Sequence, residues 1–269
     1  MKGRQWILMD TMSSTHSQYL KAALYSYFNV QKPLGKFLSN GYHLLYFNPK
    51  HEETELSKDG YDSHQIPANL MFKRRLWTGG QIDFLHPVAY DSQAVCVESI
   101  QNSKSFGENH MVTIQREVVA DGLISLVERR SLFYTNDLYK KSTPQFPQKP
   151  AIYTHELKPT DILLFRYSSL TFNAHRIHYN KDYAMREGYP NILVHGPLTV
   201  TLLLEWFSTL FGDLVVKSFK YKNIAPLFAN EKIKLCLGQT SDLKYDTWIE
   251  NEDGELCVSG TIEVINNDV

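Results

Sequence analysis

The sequence predicts an α+β protein in which one unit, an antiparallel sheet wrapped around a helix, is used twice. Three observations carry this. Asp121-Gly122 and Asp253-Gly254 each sit between alternating apolar and polar runs, and a hairpin turn needs the positive φ that glycine adopts at little cost. The strand-like runs around these turns come in the same order in both halves of the chain. Finally, residues 197–211 are apolar almost all round, so a helix there has to be wrapped by other elements.

Taken in order, residues 14–27 read as a helix, with Leu20, Ala23, Leu24 and Tyr27 at helical spacing. Gly80-Gln81-Ile82-Asp83-Phe84-Leu85-His86-Pro87 then leads into a strand around Val95-Cys96-Val97, followed by strands at 111–120 and 123–134 flanking the first Asp-Gly. Residues 136–149, with Pro144, Pro147 and Pro150 close by, have the polar, proline-bearing composition of a linker. The boundary is placed there, giving halves 1–140 and 141–269. In the second half, 161–168 reads as a strand-like apolar run, and 197–211 is the buried helix, with proline in its first turn where the missing N–H costs nothing. Lys217 to Pro226 leads into Ile233-Lys234-Leu235-Cys236-Leu237, and strands at 244–251 and 255–265 flank the second Asp-Gly. Two such units side by side make a double hot dog.

Composition excludes several functions. A net charge of −1 over 269 residues is not that of a nucleic-acid binder, which would show a basic face. The run Lys73-Arg74-Arg75 reads as a local, solvated strand edge. Cys96, Cys236 and Cys257 are widely spaced within apolar alternation and read as buried free thiols. The longest apolar stretches fall short of a membrane span. Lys2 and Arg4 precede the first acidic residue but make a weak targeting signal. No Gly-rich phosphate loop or GxSxG occurs, so no nucleotide cofactor is expected.

Chemistry concentrates at Phe172-Asn173-Ala174-His175-Arg176-Ile177-His178-Tyr179 and at His195-Gly196-Pro197. His178 is the candidate proton-transfer group, imidazole being the side chain best matched to neutral pH. His175 beside it makes at most half a metal site, and no metal is expected. Asn173 can hold a water or hydroxyl with its amide, or bond its own backbone in a turn. Arg176 and Asp182 read as loop support through an ion pair. Gly196, at a helix start, offers an unpartnered N–H and the positive end of the helix dipole to an oxygen that gains charge.

These residues carry a resemblance. Phe165-Arg166-Tyr167-Ser168-x-Leu170-Thr171-Phe172-Asn173-x-His175-Arg176-Ile177-His178-Tyr179, with Val194-His195-Gly196-Pro197-Leu198, resembles the MaoC-like R-specific hydratases and dehydratases. Within them it is most similar to the fungal mitochondrial 3-hydroxyacyl-thioester dehydratases of type 2. Leu45-Tyr46-Phe47-x-Pro49 and Arg74-Arg75-Leu76-Trp77-x-Gly79-Gly80 extend the likeness through the first half. The superfamily motif reads Asp-x-Asn-Pro-x-His; its Asp falls on Asn173, its Asn on His175, its Pro on Arg176 and its His on His178. The resemblance implies reversible dehydration of (3R)-hydroxyacyl thioesters, with His178 as acid–base, Asn173 positioning the water and the Gly196 N–H on the thioester carbonyl. It also implies acyl carrier protein or coenzyme A thioesters as partners, a homodimer and a mitochondrial location. A hot-dog acyl thioesterase and a non-catalytic acyl-carrier-binding protein are the alternative readings.

Overall fold

In the computed structural model, residues 4–29, 34–62 and 72–265 are described; Lys2 lies outside them. Ten strands form one sheet. They are β1 (Gln5–Thr11), β2 (Arg74–Phe84), β3 (Gln93–Phe106), β4 (Asn109–Ala120), β5 (Leu123–Thr135), β6 (Tyr153–Leu157), β7 (Val215–Asn223), β8 (Ile233–Ser241), β9 (Lys244–Asn251) and β10 (Leu256–Ile265). Their order is β1-β3-β4-β5-β2-β7-β10-β9-β8-β6, so the second half repeats the first in reverse across the β2–β7 seam. The two segments aligned as repeats in the sequence pair with each other there, antiparallel, from Gly79↔Lys222 to Asp83↔Ser218. The Asp-Gly turns close the β4–β5 and β9–β10 hairpins; Gly122 and Gly254 both have φ of +77°, which explains the choice of glycine.

Among the described residues there are four α-helices: α1 (Ser14–Phe28), α2 (Asp161–Leu170), α3 (Lys181–Arg186) and α4 (Gly196–Leu210). Helix α4 buries residues on every face, from Leu198 through Phe207, in one apolar core with Ile82, Cys96 and Val118 of the first half and Leu235 and Ile262 of the second. Helix α1 buries one face only, through Ser17, Leu20, Ala23 and Leu24. The first half adds a wholly buried 3₁₀ turn, Tyr42–Leu45. Gly41 brings this turn onto α4: a Cβ there would lie 3.2 Å from Leu204 Cδ1. All three cysteines are free and buried. Among the described residues, no helix is long and apolar enough to cross a membrane.

One expected element differs. Residues 161–168 form helix α2, not a strand. Leu163, Leu164 and Tyr167 share its buried side, and the Thr160 hydroxyl caps its start by accepting from the Leu163 N–H at 3.1 Å. A short apolar run fits either period; the threonine cap followed by Asp161 was the signal for a helix.

Candidate active site

The polar motif lies in the connection between α2 and α4, and local bonds set its shape. Helix α2 ends at Thr171, whose hydroxyl returns to the Tyr167 carbonyl at 2.7 Å. The Asn173 N–H then donates to the Ser168 carbonyl at 2.9 Å, while its side-chain oxygen accepts from the His175 N–H at 3.0 Å. The turn-residue role is therefore real. A 3₁₀ turn, Arg176–His178, follows, and Asn180 caps α3 through the Tyr183 N–H at 2.9 Å.

His178 is buried and its Nδ1 lies 2.9 Å from the Leu193 carbonyl. A carbonyl only accepts, so Nδ1 carries the proton and Nε2 is the basic nitrogen. The ring stacks on His195 with centroids 3.7 Å apart and meets His175 edge-on at 5.5 Å. Burial first, then the neighbouring His175, lowers its pKa to about 3; burial also pushes His195 and, outside this cluster, His43 below the ordinary histidine value. Neutral histidines in such a cluster are what a base needs, because a base has to begin unprotonated. His195 Nε2 is 2.8 Å from Ser168 Oγ, and its Nδ1 is buried without a hydrogen-bond partner.

These three depressed histidines make stability pH-dependent. In the unfolded chain they bind protons below about pH 6.5, whereas folded His178 does so only near 3. Their contribution is whole above the unfolded value and falls as pH drops through this window, by about 1.4 kcal/mol per pH unit for each histidine. The urea midpoint at about pH 5.5 is expected below that at about pH 7.5, and equal midpoints would contradict the neutral, buried state.

His178, His175, Asn173 and Gly196 line one cavity of about 290 Å³ with Arg75 and Trp77. Gly196 opens α4, with His195 as the residue before it. A Cβ at Gly196 would lie 3.0 Å from Asn223 Nδ2 and 3.4 Å from Trp77 Cβ, so a side chain here would press on both. A second cavity, about 560 Å³, is lined by Arg116, Arg130, Tyr167, Phe172 and the shared residues Tyr61, Trp77, Asn173 and Pro197. Asn173 stands where the two meet.

Two expectations about neighbouring charges change. Arg75 is not a solvated edge residue: its guanidinium lies 3.4 Å from the Tyr61 ring centroid, and it lines the His178 cavity. Only Lys73 is exposed, and Arg74 pairs with Glu187. Among the described residues, Arg176 and Asp182 form no ion pair. Instead the Arg176 N–H donates to the Asp59 carbonyl at 2.8 Å. Asp59 itself was missed; the Asp59-Gly60 dipeptide signalled a turn, but nothing in its spacing tied that turn to the motif.

A sheet closed around a buried helix, with a neutral histidine and a helix start facing one cavity, defines a hot-dog protein of the hydratase class. Solved structures share the architecture. HtdX of Mycobacterium tuberculosis matches with a TM-score of 0.74 at 15% identity, over 97% of this chain and 100% of that one. A second M. tuberculosis protein, described as having a double hotdog fold, matches at 0.60 and 11% identity over 98% and 96%. The family model for hydroxyacyl-thioester dehydratase type 2 matches residues 41–229, and the chain belongs to that family. It is 31% identical over 258 residues to the mitochondrial hydroxyacyl-thioester dehydratase type 2 of Saccharomyces cerevisiae, covering 90% of this chain and 91% of that one. It is also 31% identical over 233 residues to the mesaconyl-C(4)-CoA hydratase of Chloroflexus aurantiacus, covering 83% and 82%. The protein is a hydro-lyase, a dehydratase of hydroxyacyl thioesters.

Proposed function

We propose that this dehydratase interconverts (3R)-3-hydroxyacyl and trans-2-enoyl thioesters in fatty acid synthesis, with His178 as base. The observation that carries the reading is the Nδ1–Leu193 hydrogen bond, which leaves a neutral imidazole with Nε2 as its basic nitrogen in a cavity that also contains the start of α4. Nε2 removes the C2 proton. The enolate oxygen that develops is met by the Gly196 N–H and the α4 dipole. The NH₂ of Asn173 holds the C3 hydroxyl, or the water in the hydration direction. The acyl chain extends from this point into the adjoining 560 Å³ cavity, between the halves. Acyl carrier protein is the carrier we favour, and the mitochondrion the location, since the name of the Saccharomyces cerevisiae relative carries the word mitochondrial.

Incubation with crotonyl thioesters of carrier protein and of coenzyme A tests this. Loss of enoyl absorbance with formation of the (3R)-hydroxy product is expected, faster on the carrier protein. Release of free thiol without loss of the double bond would mark a thioesterase instead. Ser168 and His195 are within hydrogen-bond reach, but His195 lacks an orienting partner on Nδ1, which makes the pair a poor nucleophile–base unit. Saturable binding with no turnover would mark a non-catalytic acyl-binding protein.

A further inference from the structure

His178 alone leaves one step of the elimination unassisted. While it holds the C2 proton it cannot also protonate the departing oxygen, and hydroxide leaves poorly. The other polar side chain of the motif, Asn173, cannot do this, because an amide transfers no proton at neutral pH.

The first half brings a carboxylate to this place. Asp59 is carried on a turn whose Gly60 has φ of +79°, and a Cβ on Gly60 would fall 2.2 Å from the Ala174 carbonyl oxygen. This turn is therefore seated against the motif at the main-chain level, and the Asp59 carbonyl accepts from the Arg176 N–H. The carboxylate is held as well: Oδ1 accepts from the Tyr61 N–H at 3.0 Å and from the Ser57 hydroxyl, and Oδ2 lies 3.3 Å from His175 Nε2. His175 is 8% exposed, lines the His178 cavity, and has its ring 5.5 Å from those of both His178 and Tyr61. Among the described residues its Nδ1 has no protein partner.

We propose that His175, paired with Asp59, is the second proton-transfer residue, giving its proton to the C3 hydroxyl as His178 takes the C2 proton. The proposal rests on the assignment of His178 as base. The C2–H bond breaks and its electron pair forms the C2=C3 bond. The C3–O bond breaks, the oxygen keeps the electron pair of that bond and takes the His175 proton, and water leaves. His178 then releases one proton to solvent and His175 takes one up. Asp59 is the positioning residue: its carboxylate holds the Nε2 side of the ring and leaves Nδ1 as the donating atom. Burial pushes the Asp59 carboxyl upward, but the bonds from His175 and Ser57 outweigh it and hold it below the usual carboxylate range.

The test uses two leaving groups on the full-length protein, (3R)-3-hydroxybutyryl-CoA and 3-chlorobutyryl-CoA, since chloride departs without a proton. His175→Gln is expected to lower kcat for the hydroxy substrate by about 10²–10⁴ while chloride elimination stays within about threefold of the parent. Retained chloride elimination also shows that the variant is folded. Asp59→Asn should lower hydroxyl elimination by about tenfold or more in kcat with KM unchanged, again sparing chloride. His178→Ala should lose both eliminations. Equal loss on both substrates in His175→Gln, or intact hydroxyl elimination, overturns the role of His175. Retention of both eliminations in His178→Ala overturns the assignment of the base itself.

Discussion

His178→Ala is expected to lower hydration of a crotonyl thioester by about 10²–10⁴, the usual worth of a positioned acid–base group. The loss should fall on kcat, because the ring contributes to the transition state more than to binding. Two features make the effect large. The Leu193 carbonyl fixes the tautomer, so Nε2 is the basic nitrogen of this ring. His195, stacked 3.7 Å away, is committed to Ser168 through Nε2. The assay is the decline of enoyl absorbance under saturating substrate, with the thermal midpoint recorded beside it. Turnover within about tenfold of the parent in a folded variant would remove His178 from the mechanism.

Glu128→Gln is expected to destabilise the fold by about 3–5 kcal/mol, because it leaves two buried cations with a single anion. Glu98, Arg116 and Glu128 stand directly opposite one another across β3, β4 and β5. Arg116 Nε lies 2.6 Å from Glu98 and its Nη1 3.3 Å from Glu128, and Arg130 also binds Glu128. His43 approaches Glu128 at 3.7 Å but is kept neutral by burial. Two cations thus face two anions, and Glu128 is wholly buried. Burial opposes its charge, but Arg130 and the other partners hold its pKa well below the usual 4.5. Its contribution is present above that value and is lost as pH falls below it. A thermal midpoint lower by about 10 °C is expected. Asp83→Asn, which breaks the exposed pair with Arg129, should cost less than about 1 kcal/mol. Similar losses in the two variants would show that the buried network is not what holds this sheet.

Most strands were legible because alternation and Asp-Gly turns are local signals: a side chain's face depends on its neighbours two positions away. The segment ending in α2 was misread for the same reason, since ten residues of mixed apolar pattern carry both periods and only the Thr160 cap separates them. The ionic cluster of β3, β4 and β5 was also hidden. Glu98, Arg116, Glu128 and Arg130 sit at inward positions of their strands, and alternation alone does not say that an inward position carries charge. Arg75 was hidden by its company, a basic run that resembles any solvated edge until Tyr61 is placed beneath it.

By itself, then, the amino-acid sequence determined the doubled sheet, the wrapped helix and the motif holding Asn173, His175, His178 and Gly196, all of which depend on residues close along the chain. Tertiary structure alone decided what surrounds the motif. The β2–β7 seam joins the halves, and the turn of Gly60 seats against Ala174, which brings Asp59, Tyr61 and Arg75 to the histidines. The physical reason is that hydrogen bonds and packing act over a few ångströms whatever the separation in sequence, and no local pattern in residues 57–61 or 74–77 records the partner they meet.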